Sequence, residues 1–227
     1  MSEQAQRVLQ GLAELGPAIA IDSSIGTSVA VSNGTAIFAA SSDDPLGHAE
    51  VVADLITEAL ESAGVSPSEI RAVVAGMGPG PFTGLRVGIA AAKAFAIGVN
   101  VELRPMVSHE AVAHASFSAD ASQGEVFVVT DARRKQLFGT RYARPDRSGI
   151  PVVTVAPALY SREILDTHEQ STPQPGSTVQ PTSIPADALI ELAALRKLAS
   201  RAFEPDVALY LREPDVTLPG APKRVLS

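Results

Sequence analysis

The spacing of apolar residues divides the first half of the chain into strands and helices in a regular order. Continuous apolar runs predict buried strands, and apolar residues every three or four positions predict helices. The predicted strands are residues 18–23, 26–32, 35–41, 70–77 and 101–106. The predicted helices are residues 47–63, residues 82–97 and a segment that begins at Ser108. The order is β-β-β-α-β-α followed by β-α, which indicates an α/β fold.

The second half repeats this pattern in a reduced form. Its predicted strands are residues 125–131, 135–143 and 150–155, and its predicted helix covers residues 186–202. Between them, residues 171–185 contain four prolines and many Ser and Thr, which predicts a mobile loop or linker. We therefore expect three parts: an N-terminal extension (1–17), a first lobe (18–118) and a second, smaller lobe (119–227).

Composition and charge exclude some functions. The chain has no cysteine, so disulfides and zinc sites with cysteine ligands are excluded. The net charge is −7, and the first 70 residues carry ten acidic side chains against one basic side chain. Phosphate contacts need a basic surface, so this third of the chain is a poor surface for nucleic acid. If RNA matters to the protein, we expect another molecule to hold it.

The sequence also bears on location. Residues 1–15 lack the basic start and long apolar run of a secretory signal. No stretch of about 18 apolar residues is free of charge, as a spanning helix would require. The expectation is a cytoplasmic protein that has no contact with a membrane.

The end of the first strand is the first candidate for chemistry. Asp22 follows a buried strand, and Ser24 lies in the tight turn after it. This arrangement resembles the first phosphate loop of the actin, sugar-kinase and Hsp70 superfamily, in which the acid serves the metal. In the alternative interpretation, which we favour, Asp22 only accepts hydrogen bonds from the backbone of its own turn.

The loop before the second long helix is another candidate. Gly78 and Gly80 lie where free N–H groups and the helix dipole could hold an anion. No lysine follows the glycines, so the loop is not a Walker loop. The alternative is a tight structural turn with Phe82 buried, and the two interpretations stay open with equal weight.

The helix over residues 82–97 is apolar on nearly every side. Only Thr83, Arg86 and Lys93 are polar, and small residues fill much of the rest. A helix that packs on a sheet normally keeps a polar stripe toward solvent. We therefore expect a second cover on this helix, either another subunit or, in the alternative, the second lobe.

The histidines do not predict a metal site, and no catalytic residue is predicted. His109 and His114 are five positions apart, which places them about 140° from each other on a helix. His48 stands alone and is interpreted as a residue at a helix start or an interface. The one basic run is Arg133 to Lys135, interpreted as a solvated hairpin or, less favoured, as a contact for an acidic partner or the tRNA backbone.

Several segments together resemble the TsaB family. The most specific is the run Gly78-Pro79-Gly80-Pro81-Phe82-Thr83-Gly84-Leu85-Arg86-Val87-Gly88-Ile89. Supporting segments are Ala20–Ser24, Ser28–Val31, His48 at the start of a helix, Asp131–Arg133 and Leu209–Arg212. The resemblance is dense over residues 18–143 and patchy beyond.

The resemblance implies a fold and a function. The implied fold is the duplicated actin-like, ribonuclease-H-like architecture with two βββαβα-type lobes. The implied function is that of a non-catalytic subunit that binds a TsaD-like catalytic subunit and, with a TsaE-like ATPase, supports transfer of threonylcarbamoyl to N6 of adenosine 37 in tRNA. ATP or ADP and Mg²⁺ would belong to those partners, and tRNA would be contacted only through the complex.

The resemblance also implies which residues form the subunit interface, namely those of the helices at 47–63 and 82–97. The expected interface residues are His48, Val52, Leu55, Ile56, Ala59, Thr83, Gly84, Val87, Gly88, Ala91 and Phe95. Whether the free chain pairs the same helices with a second copy stays open.

Some features depart from the family or favour other functions. A Gly-Asp/Asn-Gly-Ala turn that is frequent in the family is missing, and residues 171–185 lie where it is expected. A stand-alone actin-like ATPase or small-molecule kinase would need a second Asp-x-Gly loop, whereas residues 125–165 offer only Asp131-Ala132. A metallopeptidase would need ligands that the sequence lacks.

Overall fold

The computed structural model describes residues 2–42, 47–163 and 176–212. The strands are β1 (Ala18–Asp22), β2 (Thr27–Ser32), β3 (Ile37–Ser42), β4 (Ala72–Gly76), β5 (Leu103–Met106), β6 (Glu125–Asp131), β7 (Gln136–Ala143), β8 (Val152–Ser161) and β9 (Gly176–Val179). The helices are α1 (Glu3–Leu15), α2 (His48–Ala63), a short 3-10 helix (Pro67–Glu69), α3 (Phe82–Val99), α4 (Ser108–Ala119) and α5 (Ala186–Leu198).

The strands form two sheets with related topology. The first sheet has the order β3-β2-β1-β4-β5, in which β1 pairs antiparallel with β2 and parallel with β4. The second has the order β8-β7-β6-β9, in which β6 pairs antiparallel with β7 and parallel with β9. The second sheet thus repeats the first with one strand fewer. This repetition confirms the predicted α/β fold with a reduced second copy.

Helices cover both faces of the first sheet. On one face, α2 and α3 pack on the strands through the apolar cluster that includes Ile19, Ile21 and Val73. On the other face, α5 lies against β1 and β2, and α1 packs along α5. The side chains of β1 alternate between these two clusters, as the period of two in a strand requires.

The packing units do not follow the halves of the chain. The sequence places α4 in the first lobe, but α4 packs on β6 and β7 of the second sheet. The helix α5 belongs to the second half and packs on the first sheet. Residues 1–17, expected as an extension, include α1, whose Leu12 and Leu15 are buried in the core. The two lobes are thus joined by helices that lie between the sheets.

The expected mobile stretch is partly ordered structure. Residues 176–179 form β9, which pairs with β6, and Ile184 is fully buried. The Ser28 hydroxyl donates a hydrogen bond of 2.6 Å to the Ile184 carbonyl. Main-chain pairing does not need apolar side chains, so the Ser/Thr-rich composition concealed this strand. Residues 171–175 lie outside the described residues.

Helices α2 and α3 each end at a residue in the left-handed backbone conformation. Gly64 ends α2 with φ 64°, a conformation that glycine adopts without strain. Gly98 lies inside α3, and Asn100 with φ 55° is the C-terminal cap of this helix. Asparagine tolerates this conformation better than other residues that have a Cβ. The turn between β2 and β3 covers residues 33–36, and the Asn33 side chain accepts hydrogen bonds from the backbone N–H groups of Thr35 and Ala36.

We predict that Gly11→Ala destabilises the protein. A Cβ at this position of α1 would lie 2.6 Å from the backbone oxygen of Ala194 in α5, so the two helices would have to separate. The free energy of unfolding should fall by roughly 1–3 kcal/mol. Urea unfolding followed by circular dichroism measures this change.

Gly98→Ala is the matched control. A Cβ at Gly98 would meet no atom within 4 Å, and the residue lies inside α3. Alanine in a helix is favoured over glycine, so this variant should gain roughly 0.5–1 kcal/mol. Equal effects of the two substitutions would contradict the close contact of α1 with α5.

Candidate functional site

Asp22 is fully buried at the end of β1 and is surrounded by hydroxyl groups. Its Oδ1 accepts hydrogen bonds from the Ser24 backbone N–H (2.7 Å) and hydroxyl (2.5 Å). Its Oδ2 accepts a hydrogen bond from the Ser108 hydroxyl at the start of α4. The same Ser108 oxygen accepts a hydrogen bond of 2.9 Å from the Gly78 N–H. One carboxylate thus connects the ends of β1 and β4 to α4.

The loop between β4 and α3, residues 77–81, is called the glycine loop and packs directly on the loop after β1. A Cβ at Gly80 would lie 2.6 Å from the backbone oxygen of Ser24, so the two backbones are in contact. The four residues expected to bind an anion, Asp22, Ser24, Gly78 and Gly80, are therefore brought together and are all buried. The hydrogen bonds of Asp22 and Gly78 with the Ser108 hydroxyl join the two loops through this serine. This geometry favours the interpretation in which Asp22 stabilises its own turn, and anion binding stays a prediction.

The surroundings of Asp22 also change its protonation. Burial disfavours the charged form and raises the pKa of this carboxyl above its usual value. The hydrogen bonds from Ser108 and Ser24 favour the ionised form and offset part of the effect. Burial is the larger influence.

The inward side of α3 is held against the same loop. The Ser23 hydroxyl donates a hydrogen bond of 2.6 Å to the Gly84 carbonyl and accepts one of 2.7 Å from the Gly88 N–H. A Cβ at Gly84 would lie 2.6 Å from the Ser23 carbonyl oxygen and 3.0 Å from Nε2 of His48. His48 in turn is hydrogen-bonded through Nδ1 to the Thr27 hydroxyl at 2.8 Å. These contacts require glycine on this side of α3.

The structure divides the eleven expected interface residues into two groups. Six are exposed or half-buried: His48, Ile56, Thr83, Val87, Ala91 and Phe95. The other five face the interior of the chain itself: Val52, Leu55, Ala59, Gly84 and Gly88. For these five, the expectation of direct contact with a partner is corrected, because the first sheet and the loop after β1 occupy that space. They can affect an interface only through the position of α2 and α3.

The outward side of α3 carries residues that the sequence interpretation missed. Ala90, Ala94 and Ile97 are exposed, and Ile97 is 80% exposed. Because α3 is apolar on all sides, polarity does not show which side faces outward. The spacing of Gly84 and Gly88 was the available signal, since glycines four apart mark a side of close approach and the opposite side then faces away.

The rest of the described chain leaves this outward side uncovered. Residues 199–212, called the C-terminal strap here, pass along one flank of α3 without entering a sheet. The Leu209 N–H donates to the Met77 carbonyl at 2.8 Å, and Lys93 pairs with Asp206 at 2.8 Å. The strap thus fixes the flank of α3 but does not reach its exposed side. The alternative of a cover from the second lobe is therefore not realised within the described residues.

Helix α3 is long enough and apolar enough to cross a membrane. It is the one helix with both properties within the described ranges. A helix that packs on a sheet inside a globular protein passes the same test, so this is weak evidence. The packing of α3 on β1 and β4 places it in the fold instead.

Three segments that carry the family resemblance meet at one cavity. The glycine loop, the turn after β6 and the end of the strap line a space of about 150 Å³. Phe82 and Tyr210 stack with ring centroids 4.2 Å apart, and the Arg86 guanidinium lies 3.9 Å from the Phe82 centroid. Arg212 donates a hydrogen bond to the Ala132 carbonyl at 3.0 Å. Segments far apart in the sequence are therefore neighbours in the fold.

The basic run and the buried histidines lie elsewhere. Arg133, Arg134 and Lys135 form the exposed turn between β6 and β7, with φ of 62°, 50° and 61°. Contact of this turn with an acidic partner or tRNA stays a prediction. His109 is hydrogen-bonded to two threonine hydroxyls, and burial lowers its pKa to about 3. His114 instead faces Glu191 of α5.

Within the described residues, no group of three or more metal-ligating side chains comes together.

Sequence comparison finds relatives named for tRNA threonylcarbamoyladenosine biosynthesis. The family model described as TsaD: tRNA N6-adenosine threonylcarbamoyltransferase matches residues 46–153. An uncharacterized protein of Mycobacterium tuberculosis is 35% identical over 113 residues, which are 50% of this chain and 51% of the relative. The Escherichia coli tRNA threonylcarbamoyladenosine biosynthesis protein TsaB is 28% identical over 106 residues, 47% of this chain and 45% of that protein. The chain thus spans about half the length of the curated relatives it matches.

Solved structures define the class of the fold. The structure of YeaZ from Pseudomonas aeruginosa aligns with a TM-score of 0.71 and 20% identity, covering 86% of this chain and all of that one. A second structure, described as similar to peptidase YeaZ from the same organism, has a TM-score of 0.73 and 21% identity over 87% of this chain and all of the other. The chain has the YeaZ-like, actin-like glycoprotease fold. The sequence matches and this fold together confirm the resemblance to the TsaB family.

We predict a pH-dependent stability difference between the wild type and Asp22→Asn. The raised pKa of Asp22 means that ionisation costs stability in the folded state. The neutral Asp22 carboxyl therefore contributes stability that is fully present at pH values below its pKa in the unfolded state. This stability is lost as pH rises through its pKa in the folded state. The free energy of unfolding of the wild type, minus that of Asp22→Asn, should therefore fall with rising pH. Urea titrations at several pH values, beginning well below the ordinary Asp pKa of about 4 and ending near neutral pH, measure this difference.

Asp120→Asn is the comparison with the opposite sign. Hydrogen bonds from Ser122 lower the pKa of Asp120. Its stabilisation is present above the unfolded pKa and is lost as pH falls, so the same difference should rise with pH. A flat profile for Asp22→Asn would contradict the buried, desolvated carboxyl.

Proposed function

We propose that this chain is a non-catalytic partner subunit in the biosynthesis of threonylcarbamoyladenosine at position 37 of tRNA. In this proposal it docks on a TsaD-like catalytic subunit through the outward sides of α2 and α3. The relatives named TsaB are tRNA threonylcarbamoyladenosine biosynthesis proteins, which supports the pathway.

The observation that carries the proposal is the uncovered apolar side of α3. Its residues Ala90, Ala94 and Ile97 are exposed next to half-buried Val87 and Ala91. Small side chains allow another helix to approach closely, and exposed apolar area of this kind marks interaction sites. A partner helix that packs here would bury the stripe without disturbing the fold beneath it.

The charge distribution supports an indirect relation to tRNA. The first 70 residues, which include α2, carry a strong excess of acidic side chains. Phosphate backbones avoid such a surface. The proposal therefore assigns tRNA binding to the complex as a whole, ATP or ADP and Mg²⁺ to the partner subunits, and the chemistry to the TsaD-like subunit with a TsaE-like ATPase.

The experiment is co-elution with the TsaD-like protein of the same organism on a sizing column, for the wild type and Ala90→Glu. Ala90 is exposed, so the substitution leaves the core intact while placing a charge in the proposed contact. Binding should weaken at least ~100-fold, since a buried unpaired charge is strongly unfavourable. Gly88→Glu is unsuitable for this test, because a glutamate side chain at position 88 would collide with Ser23 of the same chain and disturb the fold.

Ala13→Glu is the matched control, since Ala13 is an exposed alanine of α1, on the opposite side of the first sheet. It should co-elute like the wild type. If the wild type fails to bind the TsaD-like protein even with nucleotide and the TsaE-like protein present, the proposed function is wrong. If Ala90→Glu binds as well as Ala13→Glu, the subunit contact lies on another surface.

A further inference from the structure

The outward side of α2 carries a row of four carboxylates. The acidic row consists of Glu50, Asp54, Glu58 and Glu61, all of them exposed. Their spacing of four, four and three places them along one side of the helix. Helix α2 contains no lysine or arginine, and none of the four forms an ion pair with a described residue. Like charges at this spacing destabilise a helix, so the fold itself gains nothing from the row.

The acidic row and the apolar side of α3 belong to one surface. Helices α2 and α3 pack side by side on the same face of the first sheet. Few cations are available on this surface, since Lys93 is paired with Asp206 and Arg86 is stacked on Phe82 and Tyr210. A molecule that docks on α3 therefore also meets an uncompensated negative charge on α2.

We propose that the acidic row selects the partner that docks on this surface. It favours a protein whose docking helices carry lysine or arginine beside an apolar stripe, and it disfavours a second copy of this chain. The inference rests on the proposed function, because it takes the TsaD-like subunit as that partner.

The symmetry of self-association supplies the reason. In a symmetric dimer the same surface comes from both copies. The acidic row of one copy then meets either the other acidic row or the uncharged side of α3. Apolar contact alone would allow this pairing, but the unpaired carboxylates oppose it. A basic row on a different partner turns the same charges into attraction, so the row provides discrimination that the apolar stripe lacks.

The two kinds of contact have opposite responses to salt. Salt screens attraction between the acidic row and a basic partner, so the heterologous complex weakens as salt rises. Salt also screens repulsion between two acidic rows, so self-association strengthens as salt rises. This difference in sign separates charge selection from apolar contact, which changes little over the same range.

The test measures both associations by analytical ultracentrifugation at low and high sodium chloride, for the wild type and the double variant Asp54→Lys with Glu58→Lys. The wild type should bind the TsaD-like protein at least ~10-fold more tightly at low salt. The variant should lose that advantage and should self-associate more strongly at low salt than the wild type. Glu14→Lys with Glu102→Lys, two exposed positions off α2 and α3, is the control with the same change of charge.

Each outcome decides between the claims. If the wild type binds and the double variant matches the control in affinity and salt response, the acidic row does not select the partner, while the proposed function stands. If the wild type does not bind the TsaD-like protein at any salt concentration, the proposed function fails and the inference fails with it. A loss of binding by Ala90→Glu together with an unchanged double variant separates the two results directly.

Discussion

The contact between α3 and the loop after β1 determines the arrangement of the rest of this surface. Gly84 and Gly88 place the helix backbone against Ser23, whose hydroxyl hydrogen-bonds to both of them. No residue larger than glycine fits there without displacing backbone. Because this contact fixes the rotation of α3, it also decides that Ala90 and Ala94 face outward. A deep internal contact thereby shapes an external surface.

The polar groups next to this contact have a structural role in the described residues. Asp22 binds the hydroxyls of Ser24 and Ser108 and so connects β1 to the start of α4, which packs on the second sheet. The position resembles a phosphate loop, but the space beside it is filled by the glycine loop itself. Burial raises the pKa of Asp22, so ionisation of this carboxyl costs stability in the folded state. The fold thus stabilises α3 from below.

The sequence predicts the elements better than their packing. Apolar periodicity identifies β1 to β8 and α2 to α5, because burial on a sheet imposes it directly. It does not identify β9, whose pairing with β6 is made by backbone groups. Apolar periodicity also does not show that α4 and α5 lie between the two sheets. A helix that is buried on several sides has the same sequence pattern whichever lobe it packs in. For the same reason, the outward side of α3 could be found only from its glycines.

The most direct test of the proposed docking surface uses the absence of cysteine from the chain. Ala94→Cys and Ala13→Cys each introduce a single thiol, one on α3 and one on α1, and both positions are exposed. The rate of thiol alkylation is measured with and without the TsaD-like protein. Our account predicts that the partner slows alkylation at position 94 and leaves position 13 unchanged. Equal rates at position 94 with and without bound partner would contradict docking on α3.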